Sequence, residues 1–275
     1  MYAKVLKQTT ALVPLLLWSV LIVAPLFFAL GIALKTQFNL VIDPLGWPHP
    51  IAWNNILTAW QNANLGVALL NSAIITIGSV VGLVCIGSSA AYLLARRTQR
   101  WANGLYRYFI LGLIVPLQLG LVPLYRAWEW MGLINTYLGV ILIQIGASLP
   151  LAIFLFTGFI KSVPRELEEA AVLDGANQFQ IFWRIVFPLL RPVTATVVIL
   201  TSLVIWNDFL ISLLFLQDQN LQTVPLAIYS FVGAYSQSWN LIFSSILVAS
   251  LPIVAMFLLL QRFFIKGITG GALKG

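Results

Sequence analysis

Few side chains in this sequence are equipped for chemistry. It holds one histidine, His49, and one cysteine, Cys85. A structural zinc site takes about four Cys, His or carboxylate ligands, and a catalytic nucleophile needs a base within reach. Neither can be built around a single histidine set in a Pro- and Trp-rich loop, and no His-Glu-x-x-His or Gly-x-Ser-x-Gly occurs. A phosphate-binding loop needs Gly-Lys-Ser/Thr; of the lysines 4, 7, 35, 161, 266 and 274, none follows a glycine. What the sequence does concentrate is carboxylates. Of its 8 acids, Glu166, Glu168, Glu169 and Asp174 fall within one short segment, and Asp208 stands in an apolar run directly after Trp206 and Asn207.

The acidic segment lies in Lys161–Pro192, KSVPRELEEAAVLDGANQFQIFWRIVFPLLRP. Pro164 fits the first turn of a helix, where a missing N–H costs nothing. Three glutamates then load the positive end of the helix dipole. Gly175 after Asp174 ends that helix. Asn177 caps a second short one, over Gln178–Phe187, which stops at Pro188. The expectation is helix, glycine turn, helix, a surface hairpin between two larger elements.

Those larger elements follow from composition. The chain has 275 residues, 60% hydrophobic and 8% charged, about a third of the charge of an ordinary soluble domain. Mean hydropathy is +0.96. Such a chain cannot cover a soluble surface with polar groups, so it is read as a polytopic membrane protein, all-α, in one domain over residues 1–275. A span needs about 20 apolar residues. Six stretches qualify, approximately Ala11–Leu34, Leu65–Ala95, Tyr108–Tyr125, Tyr137–Ile160, Pro192–Leu216 and Leu241–Leu260. The first is too long for the core of a cleaved signal peptide and lacks a clear small-x-small cleavage site, so it is read as an uncleaved helix.

Six spans put both termini on one side. If that side is cytoplasmic, 13 of the 15 Lys and Arg residues lie inside and only Lys35 and Arg126 outside, which sets both termini in the cytoplasm. The +7 net charge therefore reports topology, not nucleic-acid binding. Residues 161–191 become the one sizeable cytoplasmic loop.

Inside the spans, Asp208 is the one acid. A carboxylate at bilayer depth costs about 2.5–3.5 kcal/mol on insertion scales, so it faces protein or water. Trp206, Asn207 and Asp208 form a polar-aromatic patch suited to a sugar, with a helix–helix contact as the alternative. Gly78 and Gly82 form a small-xxx-small pair for close helix packing. Gln118 and Gln144 read as interhelical partners, and Cys85 as a small buried hydrophobe.

The loop also carries a resemblance. Glu169-Ala170-Ala171, then Gly175, Ile185 and Pro188 at their spacing, resemble the EAA loop of ABC importer permeases. The departures from the family pattern are Phe187, where leucine is common in the loop, and Asp208, where glutamate is common in the fifth span. Asn71-Ser72, Ala91-Tyr92 through Ala95-Arg96, Gly132 through Tyr137, Trp206-Asn207-Asp208-Phe209 and the tail from Gln261 to Gly275 are similar to the carbohydrate-importer permeases, in particular the maltose-type second subunit. The resemblance implies a type I importer permease fold. It also implies that Glu169, Ala170, Ala171, Asp174, Gly175, Ile185 and Pro188 couple the chain to a cytoplasmic ATPase. The implied partners are a second permease, expected to be a different chain, two ATPase subunits holding ATP-Mg, and an extracytoplasmic solute-binding protein. A sugar or polyol would be the cargo, membrane lipid the surroundings, and no nucleic acid is involved. This chain itself would bind no cofactor. The alternative, an ion-coupled transporter or channel, has Asp208 alone as a relay; an intramembrane enzyme has no catalytic pair.

Overall fold

The computed structural model describes residues 2–232 and 238–272. Its regular elements are helical. In chain order they are α1 (Tyr2–Ala33), α2 (Gln37–Ile42), α3 (Asn54–Asn62), α4 (Leu65–Arg96), α5 (Arg100–Leu111), a 3-10 turn at Leu117–Gly120 and α6 (Leu121–Trp130). Next come α7 (Tyr137–Ile160), α8 (Glu166–Leu173), α9 (Gln178–Ile181), a π-turn at Phe182–Val186, α10 (Phe187–Leu189), α11 (Arg191–Trp206) and α12 (Leu210–Phe215). A 3-10 turn at Gln219–Leu221, α13 (Val224–Tyr229) and α14 (Trp239–Ala272) follow. Of the C-terminal resemblance, residues 273–275 lie outside the described residues.

Four helical stretches are long and apolar enough to cross a bilayer: Pro14–Ala33, Leu65–Arg96, Tyr137–Ile160 and Trp239–Leu259. They correspond to the first, second, fourth and sixth expected stretches. The other two stretches are interrupted. Tyr108–Tyr125, expected as one helix, ends at Leu111 and resumes through the 3-10 turn into α6. Pro116 is responsible: it lacks an N–H and disfavours helical geometry at Val115. Pro192–Leu216 breaks at Asn207–Phe209, between α11 and α12. On its N-terminal side α11 meets the Gln178–Leu189 stretch at a bend of 75°.

The residues pack as two compact units, Met1–Gly66 with Ala227–Leu251, and Val67–Leu226 with Pro252–Gly275. In the first, none of the best apolar window of Pro14–Ala33 is buried within the chain. A helix apolar all round is a membrane span or is buried against other protein; residues of this chain do not cover this one. Its C-terminal carbonyls are not left orphaned, as they would be at a bare helix end. The Asn55 Nδ2 donates to the carbonyls of Ala33 (2.8 Å) and Lys35 (2.7 Å), and the Ser244 hydroxyl donates to Ala33 (3.0 Å).

The second unit is built on α4 against α7. Along α4 the small residues face α7: a Cβ placed on Gly78 would lie 2.8 Å from the Ile141 Cδ1, and one on Gly82 2.6 Å from the Ile145 Cδ1. The small-xxx-small pair is thus occupied by isoleucine knobs of this same chain. Gly82→Leu is expected to force α4 and α7 apart, at a cost of about 1–3 kcal/mol as over-packing, read as a lowered unfolding midpoint in detergent. Gly82→Ala should move it much less, because the Ile145 methyl can rotate away. Cys85, expected inside, is instead exposed.

A second tie holds the far end of α4. Asn71 is 1% exposed. Its Nδ2 donates to the carbonyls of Asn220 and Gln222, each at 2.9 Å, and its Oδ1 accepts from the Tyr137 hydroxyl at 2.7 Å. The adjacent Ser72 hydroxyl accepts from the Val224 N–H at 2.9 Å. One polar pair at the start of a span thereby fixes α7 and the 220–224 segment.

Candidate functional site

The hairpin after α7 forms as a helix, turn and helix, with two differences from expectation. Pro164 stands before the cap residue Arg165 and outside α8, which begins at Glu166. The helix end is a Schellman turn: the Ala176 N–H reaches the Ala171 carbonyl at 2.9 Å and the Gly175 N–H reaches Val172 at 3.0 Å. Gly175 has φ +81°, a left-handed conformation that side chains with a Cβ resist. Asn177 and Gln180 then form a reciprocal capping box, at 2.9 Å in both directions. The second helix does not stop at Pro188 but runs on to Leu189. The π-turn at Phe182–Val186 explains this. Proline removes a donor and crowds the carbonyl four residues earlier, and the wider turn gives the ring room.

What holds the hairpin in place is Glu168. Its carboxylate accepts from the Arg96 Nε at 2.7 Å and from the Tyr92 hydroxyl at 2.7 Å, and closes an ion pair with the Arg96 Nη2 at 2.6 Å. Arg96 also donates to the Val163 carbonyl at 3.0 Å. Both ion-pair side chains are largely buried, 13% and 14% exposed, and no other salt bridge occurs among the described residues. Tyr92 further packs on Phe182, ring centroids 5.1 Å apart, and Phe182, Trp183 and Phe187 stack among themselves at 4.9–6.0 Å. Sequence reasoning missed this role. The signal available was Tyr92 and Arg96 four apart, hence on one face of α4.

Of the seven residues expected to couple, Glu169, Ala170, Asp174 and Gly175 are exposed, while Ala171 is buried. Ile185 and Pro188 are half-buried, Ile185 against the core. The hairpin thus presents Glu169 and the glycine turn outward and uses Ala171 and Ile185 to seat itself. Beside them stand Val172, 53% exposed, Leu173, 89%, and Phe179, 73%. This is an apolar tip ringed by acids, and the chain itself does not cover it.

The second candidate group sits at the break in the fifth stretch. The Asp208 carboxylate accepts from the N–H groups of Ile211 (3.1 Å) and Ser212 (3.3 Å). It serves α12 as an N-terminal cap, satisfying donors that a broken helix in lipid would leave exposed. Gln144 of α7, 3% exposed, approaches the same carboxylate. Trp206 is buried, and Asn207 is exposed with its amide donating to the Leu203 carbonyl at 2.8 Å. The three side chains therefore do not form one open patch; only Asn207 is turned outward. Asp208→Leu is expected to uncap α12 and lower the unfolding midpoint by the equivalent of about 1–2 kcal/mol. Asp208→Asn, which keeps an acceptor oxygen, should recover most of that loss in the same melt.

Long apolar helices, two broken stretches and an anchored hairpin with an uncovered tip are the features of a multi-pass membrane protein. The chain belongs to the family of binding-protein-dependent transport system inner membrane components, which it matches over residues 83–270. It is 43% identical over 230 residues to the melibiose/raffinose/stachyose import permease protein MelC of Bacillus subtilis (strain 168), covering 83% of each chain. A chain in the crystal structure of a bacterial ABC transporter that imports the acidic polysaccharide alginate has the same fold. Its TM-score is 0.81 at 17% identity, over 96% of this chain and 98% of that one. A second such chain, from the alginate transporter in complex with alginate pentasaccharide-bound periplasmic protein, superposes with a TM-score of 0.67 at 16% identity, over 94% and 95%.

Proposed function

We propose that the chain is one of two permease subunits of an ATP-driven sugar importer, with the Lys161–Arg191 loop as its contact to a separate ATPase. The carrying observation is the hairpin. Its inner face is locked to α4 through Glu168, so a push on its outer face reaches the spans as a rigid-body movement. Its tip offers Leu173 and Phe179 to a partner cleft, with Glu169 and Asp174 available to basic groups there. Six membrane passages, both termini cytoplasmic, fit the family and the 13-to-2 distribution of basic residues; the third and fifth passages are the broken ones. ATP and Mg²⁺ belong on two ATPase subunits, and a solute-binding protein delivers the cargo from outside, as the alginate relative's complex supports by analogy. The other permease is a different chain, since this sequence is similar to one subunit type only. The cargo class is oligosaccharide, disaccharide or polyol, supported by the name of the Bacillus relative. Trp206, Asn207 and Asp208 are the residues proposed for the substrate pathway, and Asn207 is the exposed one that could meet a hydroxyl.

The test is uptake of labelled sugars in cells or proteoliposomes. Gly175→Val places a β-branched residue at positive φ and opens the Schellman turn; Glu169→Lys reverses an exposed charge. Each is expected to lower uptake at least tenfold with membrane insertion unchanged. Normal uptake by both variants, or sugar entry driven by an ion gradient without ATP, would defeat the assignment.

A further inference from the structure

The two broken stretches of the second unit can be placed in depth with α7 as a ruler. Near its Tyr137 end, the Trp128 Nε1 of α6 donates to the Gly139 carbonyl at 3.0 Å. Just before α7, the Asn135 N–H donates to the carbonyl of Phe215, the last residue of α12, at 2.9 Å. There α6 and α12 also touch each other. The Tyr125 and Phe215 rings lie 5.7 Å apart, and the Gln217 amide donates to the Tyr125 hydroxyl at 3.1 Å. Further along α7, Gln144 meets the Asp208 carboxylate, and a Cβ on Gly112 would lie 2.9 Å from the Pro150 Cγ. Both broken stretches therefore run antiparallel to α7. Gln118 stands seven residues before Tyr125, as Asp208 stands seven before Phe215. The two breaks share one depth, about 10 Å along α7 from Tyr137 at about 1.5 Å per residue. That is well inside a hydrocarbon core about 30 Å thick.

Irregular backbone at such a depth is tolerated only where other protein buries it or where it lines water. This chain does not bury the first break: Ile114 is 74% exposed, Val115 62% and Leu119 76%. Among them stands Gln118. Expected as an interhelical partner, it is instead exposed and makes no hydrogen bond among the described residues. Gln144, read the same way, does find its partner in Asp208. At the second break Asn207 is exposed too, with only its Nδ2 engaged, on the Leu203 carbonyl. An unpaired amide is costly in hydrocarbon, and an apolar partner helix would not satisfy it. An amide both donates and accepts, which is what a sugar hydroxyl requires.

We propose that Gln118 is a second cargo contact, which together with Asn207 hydrogen-bonds hydroxyls of the passing sugar. The inference rests on the importer reading above and adds the third passage to the pathway.

The complete transporter is first given a panel of labelled disaccharides and oligosaccharides in cells. No uptake of any of them by wild type would defeat the importer reading itself. With a transported sugar in hand, Gln118→Cys and Asn207→Cys are made with Cys85, exposed in this chain, replaced by serine. Membrane fragments open on both faces are treated with a charged, membrane-impermeant methanethiosulfonate, with the solute-binding protein and ATP present. Both cysteines should react, and saturating sugar should slow the reaction at least fivefold. Reaction of Gln118→Cys with a lipid-soluble maleimide alone would overturn the inference and leave the importer reading standing. So would reaction with neither reagent, as under a covering partner helix, or a rate that sugar does not change. In the uptake assay Gln118→Leu should reach the membrane in normal amount and transport at least tenfold more slowly. Gln118→Asn, which keeps the amide, should retain most of the rate. Full uptake by Gln118→Leu would equally remove the contact.

Discussion

Replacing Glu168 by alanine is expected to detach the hairpin from α4 and lower uptake by one to two orders of magnitude. The substitution strands the Arg96 guanidinium and the Tyr92 hydroxyl, which now meet one carboxylate at 2.6–2.7 Å. Removing one partner of a largely buried, hydrogen-bonded pair costs about 3 kcal/mol, and each 1.4 kcal/mol is about tenfold in population. Much of the hairpin would then sit undocked, and on the proposed coupling a partner ATPase would hydrolyse ATP without transport. Stimulated ATPase activity should therefore fall less than uptake. A double variant, Arg96→Met with Glu168→Met, removes both charges and leaves apolar volume, so it should recover stability that either single variant loses. Recovery of stability without uptake would mark the ion pair as a specific register lock. Full uptake by Glu168→Ala would remove the anchor from the mechanism.

The second large effect falls on Asn71. Asn71→Leu keeps the volume and removes all three of the hydrogen bonds that join α4 to the Asn220 and Gln222 carbonyls and to Tyr137. Each buried group left unpaired costs about 1–3 kcal/mol, so the total reaches several kcal/mol against a stability of about 5–15. The expected outcome is a protein that inserts but is degraded or aggregates on extraction, read by immunoblot and by size exclusion in detergent. Asn71→Asp retains the acceptor for Tyr137 but faces two carbonyls with a carboxylate, so it should fare no better. A monodisperse Asn71→Leu protein with native melting would show that this hub is dispensable.

How much of this was legible in the sequence depends on what kind of force set each feature. The four continuous spanning helices were readable because charged residues bound uncharged runs of the right length, and hydrophobicity is additive along a chain. The breaks were not readable from the same measure. Leu111–Leu121 is as apolar as a helix interior, and Pro116 signalled that interruption; Asn207 and Asp208 stand out in Trp206–Leu210, but the break there is made by Asp208 satisfying the next turn's N–H groups. A lone carboxylate in an apolar run reads equally as a substrate contact or a helix–helix contact, because a side chain's own backbone partners leave no trace in spacing. The hairpin's caps, Gly175 and Asn177, were legible, being local. Which of Glu166, Glu168 and Glu169 would be the anchor was not, since all three serve the helix dipole equally. Only the rotation of α8 against Tyr92 and Arg96 separates them.

The uncovered first helix has a consequence for biogenesis. With none of its best window buried within the chain, Pro14–Ala33 does not depend on packing against residues of this chain made later. It can partition into the membrane as soon as it leaves the ribosome, and its Asn55 and Ser244 contacts are added afterwards. Translation of the remaining chain then proceeds from an already tethered start. Errors in the later, broken stretches would yield a membrane-bound but misassembled subunit, not a cytosolic aggregate, so its clearance would fall to quality control within the bilayer.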